Sequence, residues 1–256
     1  MKARRILPVI LLLFSVTIIA AVFFSAPWYV YIAIILMTLA AFVYGSAYIG
    51  SRFYLDTICS ASTSEKEIAI TFDDGPDIEV TPVILDILKK YEVQTAFFCV
   101  GKRILKSPSL LKRMDKEGHI IGNHSYSHHF FFDLFSGKQM GNEIRVTGNL
   151  IHRNIKKRTL LFRPPYGVTN PVLARVIKKT GHSVIGWSLK SKDTVVKDYK
   201  AMLSGLKKRL QPGDIILFHD TVKHLPPALE EFLKYVSENS YKVVRLDDLL
   251  NIKAYE

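Results

Sequence analysis

Two kinds of hydrophobic pattern divide the chain of 256 residues. Residues 6–51 are apolar throughout and contain no Asp, Glu, Lys or Arg over 46 positions. After them, short β-rich runs alternate with segments that have the apolar spacing of amphipathic helices. The first pattern is typical of membrane-spanning segments, and the second is typical of a globular α/β domain.

The charge-free stretch is long enough to cross a bilayer twice, since about 20 apolar residues span it once. Pro27 breaks the helix near its middle, and Trp28 suits the headgroup region. We therefore predict a transmembrane hairpin with helices over residues 6–24 and 29–48, within a membrane anchor of residues 1–51. A cleaved signal peptide is the alternative, but the apolar core of a signal is typically about 7–15 residues and shorter than this stretch.

Positive charges flank both outer ends of the predicted hairpin. Lys2, Arg4 and Arg5 precede it and Arg52 follows it, with none in the short turn. The positive-inside rule therefore predicts that both ends, and with them the rest of the chain, are cytoplasmic. An inverted hairpin, or one segment that fails to span, would place the domain outside.

The remainder divides into a linker of residues 52–66, which ends in a polar Ser/Thr-rich run, and a domain of residues 67–256. Helix starts are marked by a capping residue before proline in Thr81-Pro82, Ser107-Pro108 and Asn170-Pro171. Alternation of strands and helices predicts parallel strands in an α/β fold, either a closed barrel or a doubly wound sheet. The predicted strands cover residues 67–72, 95–100, 119–122, 160–162, 183–188, 214–218 and 242–245.

Polar side chains with catalytic chemistry follow the C-terminal ends of these strands. In a parallel barrel the loops at that end carry the active site, so we expect these residues to converge. They are Asp73 and Asp74 after the first strand, His124 and His128 after the third, Arg163 after the fourth, Asp193 after the fifth, and His219-Asp220 at the end of the sixth.

His124 and His128 have a spacing that suits a metal. Four residues apart, they lie on one face if the segment forms a helical turn, and zinc accepts imidazole nitrogen together with carboxylate oxygen. Asp73 or Asp74 can supply the third ligand. Adjacent side chains diverge, so one of the two acids can bind metal while the other stays free as a base. The alternatives are a solvated helix face for the histidines and a simple Asp-Gly turn for the acids.

The combination resembles the polysaccharide deacetylase family, the metal-dependent carbohydrate esterases that share the NodB homology domain. The resemblance covers about residues 68–250, and four motifs occur in the order of the family. They are Thr71-Phe72-Asp73-Asp74-Gly75-Pro76, His124-Ser125-Tyr126-Ser127-His128, Arg163-Pro164-Pro165-Tyr166-Gly167 and Ile216-Leu217-Phe218-His219-Asp220.

The resemblance implies a distorted (β/α) barrel with about seven parallel strands and one divalent metal ion, zinc first, with cobalt, manganese or iron as alternatives. It also implies a role for each matching residue. Asp74, His124 and His128 would hold the metal, Asp73 would be the general base oriented by Arg163, the backbone N–H of Tyr166 would help hold the oxyanion, and His219 would be the general acid.

The chain departs from the family pattern after the fifth strand. Family members often carry an Asp-Trp pair there, whereas Asp193 is followed by Thr194. Asp193 is predicted to favour the charged form of His219. The alternative is a loop carboxylate paired with Lys190 or Lys192.

The resulting prediction is an integral membrane N-deacetylase that acts on acetylated amino-sugars of a glycan, cell-wall polymer or glycolipid. An O-acetyl esterase or cyclic-amide hydrolase on the same fold and a membrane-tethered glycan-binding protein without turnover are the alternatives. The expected partners are the substrate and the lipid bilayer. Nucleic acid is not expected despite a net charge of +12, because the basic clusters lack interleaved aromatic residues. The usual role of the family in the cell envelope implies an external domain, opposite to the charge rule.

Overall fold

The computed structural model describes residues 6–23 and 27–256. Its helices within this part of the chain are α1 (Ile6–Phe23), α2 (Trp28–Ala47), α3 (Val80–Lys90), α4 (Gly101–Lys106), α5 (Pro108–Lys116), α6 (Gly137–Ile155), α7 (Pro171–Thr180), α8 (Tyr199–Lys207), α9 (Leu225–Glu238) and α10 (Leu246–Leu250). Its strands are β1 (Thr57–Ile58), β2 (Glu67–Asp73), β3 (Ala96–Cys99), β4 (Ile120–Asn123), β5 (Leu161–Phe162), β6 (Ser183–Ile185), β7 (Leu189–Lys190), β8 (Ile215–His219) and β9 (Lys242–Val243).

The strands form one sheet in which every named pair is parallel. The order is β1-β6-β5-β4-β3-β2-β8-β7, and β9 pairs with the first residues of β2. This is a parallel α/β half-barrel, which agrees with the predicted distorted barrel. All seven predicted strands are present within three residues of their predicted ends.

Two strands, β1 and β7, were not predicted. Each has only two residues, which is too short for an apolar period to be visible. β1 lies inside the predicted linker of residues 52–66 and pairs with β6. The N–H of Ala61 donates to the carbonyl of Gly213 at 2.8 Å, so the chain is held against the sheet beyond β1 as well.

The predicted start of α3 is wrong by about two residues. The helix begins at Val80, whose N–H donates to the carboxylate of Asp77 at 3.0 Å, and Thr81 lies buried in the first turn. The other two predicted starts are confirmed: α5 follows Ser107, and the side chain of Asn170 accepts a hydrogen bond from α7.

The alternation of side chains along β2 separates the two layers of the core. Ile70 and Phe72 pack under the outer helices, whereas Ala69 belongs to the smaller cluster inside the half-barrel. The period of two places Thr71 and Asp73 on the same inner face as Ala69. Asp73 is thus carried into the interior at the C-terminal end of the strand.

The N-terminal helices correspond to the two predicted apolar segments. Among the described residues, α2 is the one helix that is long and apolar enough to cross a membrane, with a mean hydropathy of 2.0. Its residues are exposed or half-buried except Ile34 and Gly45, which are buried. A signal sequence would pass the same test, and a hairpin across a bilayer stays a prediction. The predicted break covers residues 25–28, of which residues 25 and 26 lie outside the described residues, as do the basic residues 2, 4 and 5.

Candidate active site and metal centre

A buried ion pair stands at the centre of the site. Nη1 of Arg163 lies 2.7 Å from Oδ1 of Asp73, and it donates a second hydrogen bond to Oγ1 of Thr71 at 2.8 Å. Both charged side chains are almost completely buried. Burial lowers the pKa of Arg163, and the charge of Asp73 offsets part of this effect. The guanidinium stays charged and therefore fixes one oxygen of Asp73, which leaves the other free.

Backbone carbonyls fix Arg163 in turn. Its Nε donates to the carbonyl of Ile185 at 3.1 Å, and its Nη2 donates to the carbonyl of Gly186 at 2.7 Å. The guanidinium lies 4.1 Å from the ring centroid of Phe98. The Nε, Nη1 and Nη2 atoms of Arg163 all donate hydrogen bonds within the site. The ends of β2, β5 and β6 therefore fix the orientation of the Asp73–Arg163 pair.

His124 follows β4 and is oriented by the same arginine. Its Nδ1 lies 2.7 Å from the carbonyl of Arg163. A carbonyl can only accept, so Nδ1 donates to it and Nε2 is the ring nitrogen that faces Asp74. Burial lowers the pKa of His124, but the charges of Asp73 and Asp74 outweigh burial and raise the pKa. Nε2 lies 3.6 Å from Oδ1 of Asp74. A backbone acceptor of this kind is the usual outer partner of a metal-binding histidine.

His128 reaches the same place by a loop, and the predicted helical turn is absent there. Ser125 and His128 have left-handed backbone angles, with φ of 63° and 48°. The N–H of His128 donates to Oγ of Ser125 at 3.1 Å, and the N–H of Ser125 donates to the side chain of Asn123 at 3.0 Å. These local bonds replace helical ones and turn the His128 ring toward Asp74, whose Oδ1 lies 3.2 Å from Nε2.

Asp74, His124 and His128 bring one oxygen and two nitrogen atoms within 4.8 Å of one another. Burial raises the pKa of Asp74, but hydrogen bonding to His124 and the charges of the nearby histidines outweigh it and hold the pKa well below its usual range. Burial, with a contribution from His124, lowers the pKa of His128 to about 4. An ionised carboxylate and a neutral imidazole are the forms that bind a metal, so the donor set fits a divalent ion such as zinc.

His219 and Asp193 form a second pair on the opposite side of the pocket. Nδ1 of His219 lies 2.8 Å from Oδ1 of Asp193, and the backbone N–H of His219 donates to Oδ2 at 2.7 Å. Burial lowers the pKa of His219, but the hydrogen bond and charge of Asp193 outweigh it, with help from Asp73 and Asp74, so the pKa is raised. Asp193 therefore contacts His219 rather than the lysines at 190 and 192.

The pocket between these groups has a volume of about 230 Å³ and is lined by both aspartates of the Asp-Asp pair and by all three histidines. Tyr166 and Trp187 form its aromatic walls. Gly167 is required beside them: its φ is +71°, and a Cβ there would lie 2.5 Å from the indole of Trp187. Trp187 thus supplies an aromatic wall although Thr194 stands where the family often has tryptophan.

Tyr166 lies in a tight turn with φ of 58°. Its ring is half-exposed, and its centroid lies 4.7 Å from that of His128. A second cavity of about 640 Å³ adjoins the site through Asp74 and His128, and Lys102 and Lys106 are among its lining residues. The site therefore opens into a groove that has room for more than one sugar ring.

Two residues of the site, Trp187 and Glu143, were missed in the sequence, and a third, Asp220, was grouped with the converging residues without a role of its own. Trp187 lies two residues after β6, so its position near a strand end was an available signal. Glu143 lies on α6, and its Oε2 accepts from the N–H groups of Tyr126 and Ser127 at 3.0 and 2.7 Å. Asp220 is buried beside Gly75, and burial raises its pKa to about 7. Glu143 has no signal in sequence spacing, and although Asp220 follows a predicted strand, its contacts also depend on the tertiary fold.

A parallel half-barrel that collects paired carboxylates and histidines at the C-terminal ends of its strands has the architecture of a hydrolytic enzyme. The chain belongs to the polysaccharide deacetylase family, whose family model, described as polysaccharide deacetylase, matches residues 60–185. The predicted resemblance is thereby confirmed, and with it the enzyme class, hydrolases of carbon–nitrogen bonds other than peptide bonds.

The relatives and solved structures agree with this membership. A peptidoglycan-N-acetylglucosamine deacetylase of Bacillus cereus is 34% identical over 195 residues, which cover 74% of this chain and 91% of the relative. The peptidoglycan-N-acetylmuramic acid deacetylase PdaA of Bacillus subtilis is 32% identical over 76% of this chain and 75% of its own length. The crystal structure of the Bc1960 peptidoglycan N-acetylglucosamine deacetylase superposes with a TM-score of 0.74 at 28% identity, covering 77% of this chain and 94% of that one.

Proposed function

We propose that the protein is a metal-dependent deacetylase that hydrolyses the acetamide of N-acetylated amino-sugars in a glycan, a cell-wall polymer or a glycolipid. The observation that carries this proposal is the placement of three kinds of group around one pocket. A metal-binding triad, an acid held by an arginine, and a histidine held by a carboxylate all line it. The relatives that act on acetylated peptidoglycan sugars support the substrate class.

Asp74, His124 and His128 would hold the divalent ion, most suitably zinc, with cobalt, manganese or iron as alternatives. The fit rests on the ionised state of Asp74, the neutral His128, and the Nδ1–H of His124 bound to a carbonyl. When bound, such a metal would polarise the acetyl carbonyl and acidify a water molecule.

Asp73 is the proposed general base. Arg163 holds one of its oxygens at 2.7 Å, so the other oxygen is the one available to take a proton from the attacking water. Arg163 is a positioning residue, because all of its hydrogen bonds are to Thr71, Asp73 and backbone carbonyls. The backbone N–H of Tyr166 is the proposed donor to the oxyanion of the tetrahedral intermediate.

His219 is the proposed general acid. Nδ1 is occupied by Asp193, so Nε2 would donate the proton to the amine that leaves the acetyl carbon. The raised pKa keeps the imidazole protonated toward neutral pH, as a general acid requires. Asp193 acts through His219 and is a positioning residue.

Acetate release tests the proposal. The protein, supplied with zinc, cobalt or manganese, is expected to release acetate from N-acetylglucosamine oligosaccharides faster than from their O-acetylated counterparts. Asp73→Asn and His219→Ala should each lower kcat by about 10²–10⁴ while zinc content stays unchanged. Asp86→Asn, an exposed carboxylate on α3, is the matched control and should keep full activity. Preference for O-acetyl esters, or glycan binding that survives without any turnover, would contradict the proposal.

We also propose that residues 1–51 anchor the enzyme in the cell membrane as a two-pass hairpin, before a segment of residues 52–66 and a catalytic domain of residues 67–256. The apolar, largely exposed surface of α2 supports this proposal, because such a helix needs a nonpolar surrounding. The positive-inside rule predicts that the catalytic domain is cytoplasmic, whereas the usual role of the family predicts that it is external. A topology reporter fused after Glu256 tests these two against each other.

A further inference from the structure

The end of the apolar helix α2 is bound directly to the loop that carries Tyr166. The N–H of Thr169 donates to the carbonyl of Ser46 at 3.0 Å, and its hydroxyl donates to the carbonyl of Gly45 at 3.2 Å. The last carbonyls of a helix have no partner inside it, so these bonds satisfy groups that would otherwise need water. Gly45 has no side chain, which lets the ring of Phe53 lie against the helix at the same point.

A second contact joins the same helix end to the base of the active site. Ile49, two residues after α2, is buried and packs against Gly186. The carbonyl of Gly186 is the one that accepts from Arg163. The hydroxyl of Thr57 in β1 donates to the carbonyl of Ile49 at 2.6 Å. The chain between α2 and the sheet is therefore held at several points rather than free.

These contacts fix the distance between the helix end and the pocket mouth. Tyr166 precedes Thr169 by three residues, so their Cα atoms are at most about 11 Å apart. The ring of Tyr166 packs against His128 at the mouth. The mouth of the pocket consequently lies beside the end of α2.

The surface next to this mouth is unusually apolar. Phe130, Phe131 and Leu134, which we call the apolar rim, are exposed by 70%, 53% and 74%. Phe130 packs against Tyr166 with centroids 6.0 Å apart. The side chain of Asn170, the neighbour of Thr169, donates to a carbonyl within the loop of the rim, that of Asp133. The rim is thus attached to the same loop as the helix end.

Basic side chains lie on another side of the end of α2. Arg52, Arg175 and Lys178 line one surface cavity there, with Asp56 as its one acidic lining residue. Basic side chains close to the end of a membrane helix favour the anionic headgroups of a lipid surface. An apolar helix, an apolar rim and this basic flank therefore meet around one end of the molecule.

We infer that the apolar rim inserts into the bilayer interface and that the pocket serves acetylated sugars carried on a membrane lipid. This inference rests on the proposed deacetylase function and membrane anchor, and it narrows the substrate from acetylated glycans in general to lipid-linked ones. The rim would place the sugar of such a glycolipid at the mouth beside Tyr166, while its lipid stays in the membrane.

Labelling tests the membrane contact without any turnover. Cys59 and Cys99 are buried, so a new surface cysteine can be labelled selectively. Phe131→Cys, Leu134→Cys and the control Val83→Cys, on the exposed side of α3, would carry an environment-sensitive fluorophore in the full chain. In vesicles of phosphatidylglycerol and phosphatidylethanolamine, brominated lipids should quench positions 131 and 134 at least threefold more than position 83. Equal quenching at all three positions would overturn the inference. So would a fluorescence change at positions 131 and 134 that depends on protein concentration and not on lipid.

Substrate comparison tests the lipid-linked specificity. The same N-acetylglucosamine disaccharide is offered free in solution and attached to dioleoylglycerol in the vesicles. Phe131→Ser with Leu134→Ser should lower acetate release from the glycolipid at least tenfold and from the free sugar less than twofold, and Val83→Ser should change neither. Equal loss on both substrates would refute the rim's role. No acetate from either would refute the proposed function itself, whereas the labels still decide whether the rim contacts the membrane.

Discussion

At the level of single side chains, Asp193 determines the charge state of His219. Its two oxygens contact both the ring and the backbone N–H of His219. Because burial alone would lower the pKa of this imidazole, the raised value depends on the nearby carboxylate. Asp193→Asn should keep the shape but remove the charge, so the pKa of His219 should fall.

The pH profile of activity measures this change. In its proposed role as general acid His219 must be protonated, so activity should be lost as pH rises through its pKa. In Asp193→Asn the high-pH limb of kcat/KM should move to lower pH by about one unit or more. Asp198→Asn, whose carboxylate caps α8, is the control and should leave the limb in place. An unchanged limb in Asp193→Asn would contradict the role assigned to this carboxylate.

Asp220 gives the fold a dependence on pH of its own. Its Oδ2 accepts from Thr81 at 2.7 Å, but Oδ1 is buried without a partner, and burial raises the pKa from 3.8 to about 7. The folded protein therefore binds this proton more tightly than the unfolded chain does. Stability should fall as pH rises from about 4 to about 7, by up to about 4 kcal/mol.

Thermal unfolding of Asp220→Asn against the unsubstituted protein, both with chelator, checks this effect. The amide has the shape of the protonated acid and cannot ionise, so the variant should gain relative stability as pH rises and reach its full advantage above about pH 7. At pH 4 the two proteins should unfold at similar temperatures. A difference that is constant across this range would show that Asp220 does not titrate with folding.

Acidic and histidine side chains at the strand ends could be predicted from the sequence. Groups that contribute to the site only through their position in the fold could not. The acids and histidines at strand ends were identifiable because their chemistry and position coincide. The partners of Arg163 are the carbonyls of Ile185 and Gly186, which any residue could supply. Asp193 was predicted to act on His219, with a pairing to Lys190 or Lys192 as the alternative, but the contact itself depends on the neighbouring position of β7 and β8.

Among helices and loops, α6 supports the loop that carries His128, a proposed metal ligand. Three donors of the loop, the N–H groups of Tyr126 and Ser127 and the hydroxyl of Ser127, converge on one oxygen of Glu143. Since His128 immediately follows, a loosened loop would move a proposed metal ligand. Glu143→Gln should weaken zinc affinity about 10- to 100-fold, as loss of an outer partner typically does.

Competition with a zinc-sensitive dye measures that affinity. Glu238→Gln, an exposed acid at the end of α9, provides the comparison and should bind zinc as the original protein does. If Glu143→Gln binds zinc with unchanged affinity, the loop holds its shape without this helix.

The accuracy with which strands and turns were predicted depends on the length of each element and on the local side-chain bonds around it. β2, β3 and β8 have four to seven residues and clear apolar runs, so they were predicted with their order and type. β1 is held in the sheet by its partner β6, and two residues carry no period. The loop around His128 was predicted as a helical turn because spacing alone does not reveal the side-chain bonds of Asn123 and Ser125 that replace helical ones.

For the molecule as a whole, the metal should join parts that are distant in sequence. Asp74 follows β2 while His124 and His128 follow β4, and the His124–Arg163 bond extends the connection to the end of β5. A ligand that binds only the folded state stabilises it by mass action, about 2.7 kcal/mol at 100 times its dissociation constant. For a domain of this size that corresponds to a rise in Tm of about 5–10 °C. Thermal unfolding with chelator and with zinc should show this rise in the original protein and in His129→Ala, whose exposed ring packs against Phe131 and Phe135. The rise should be absent in His128→Ala. A rise that persists in His128→Ala would mean that zinc acts elsewhere, because removing one of three ligands should abolish tight binding.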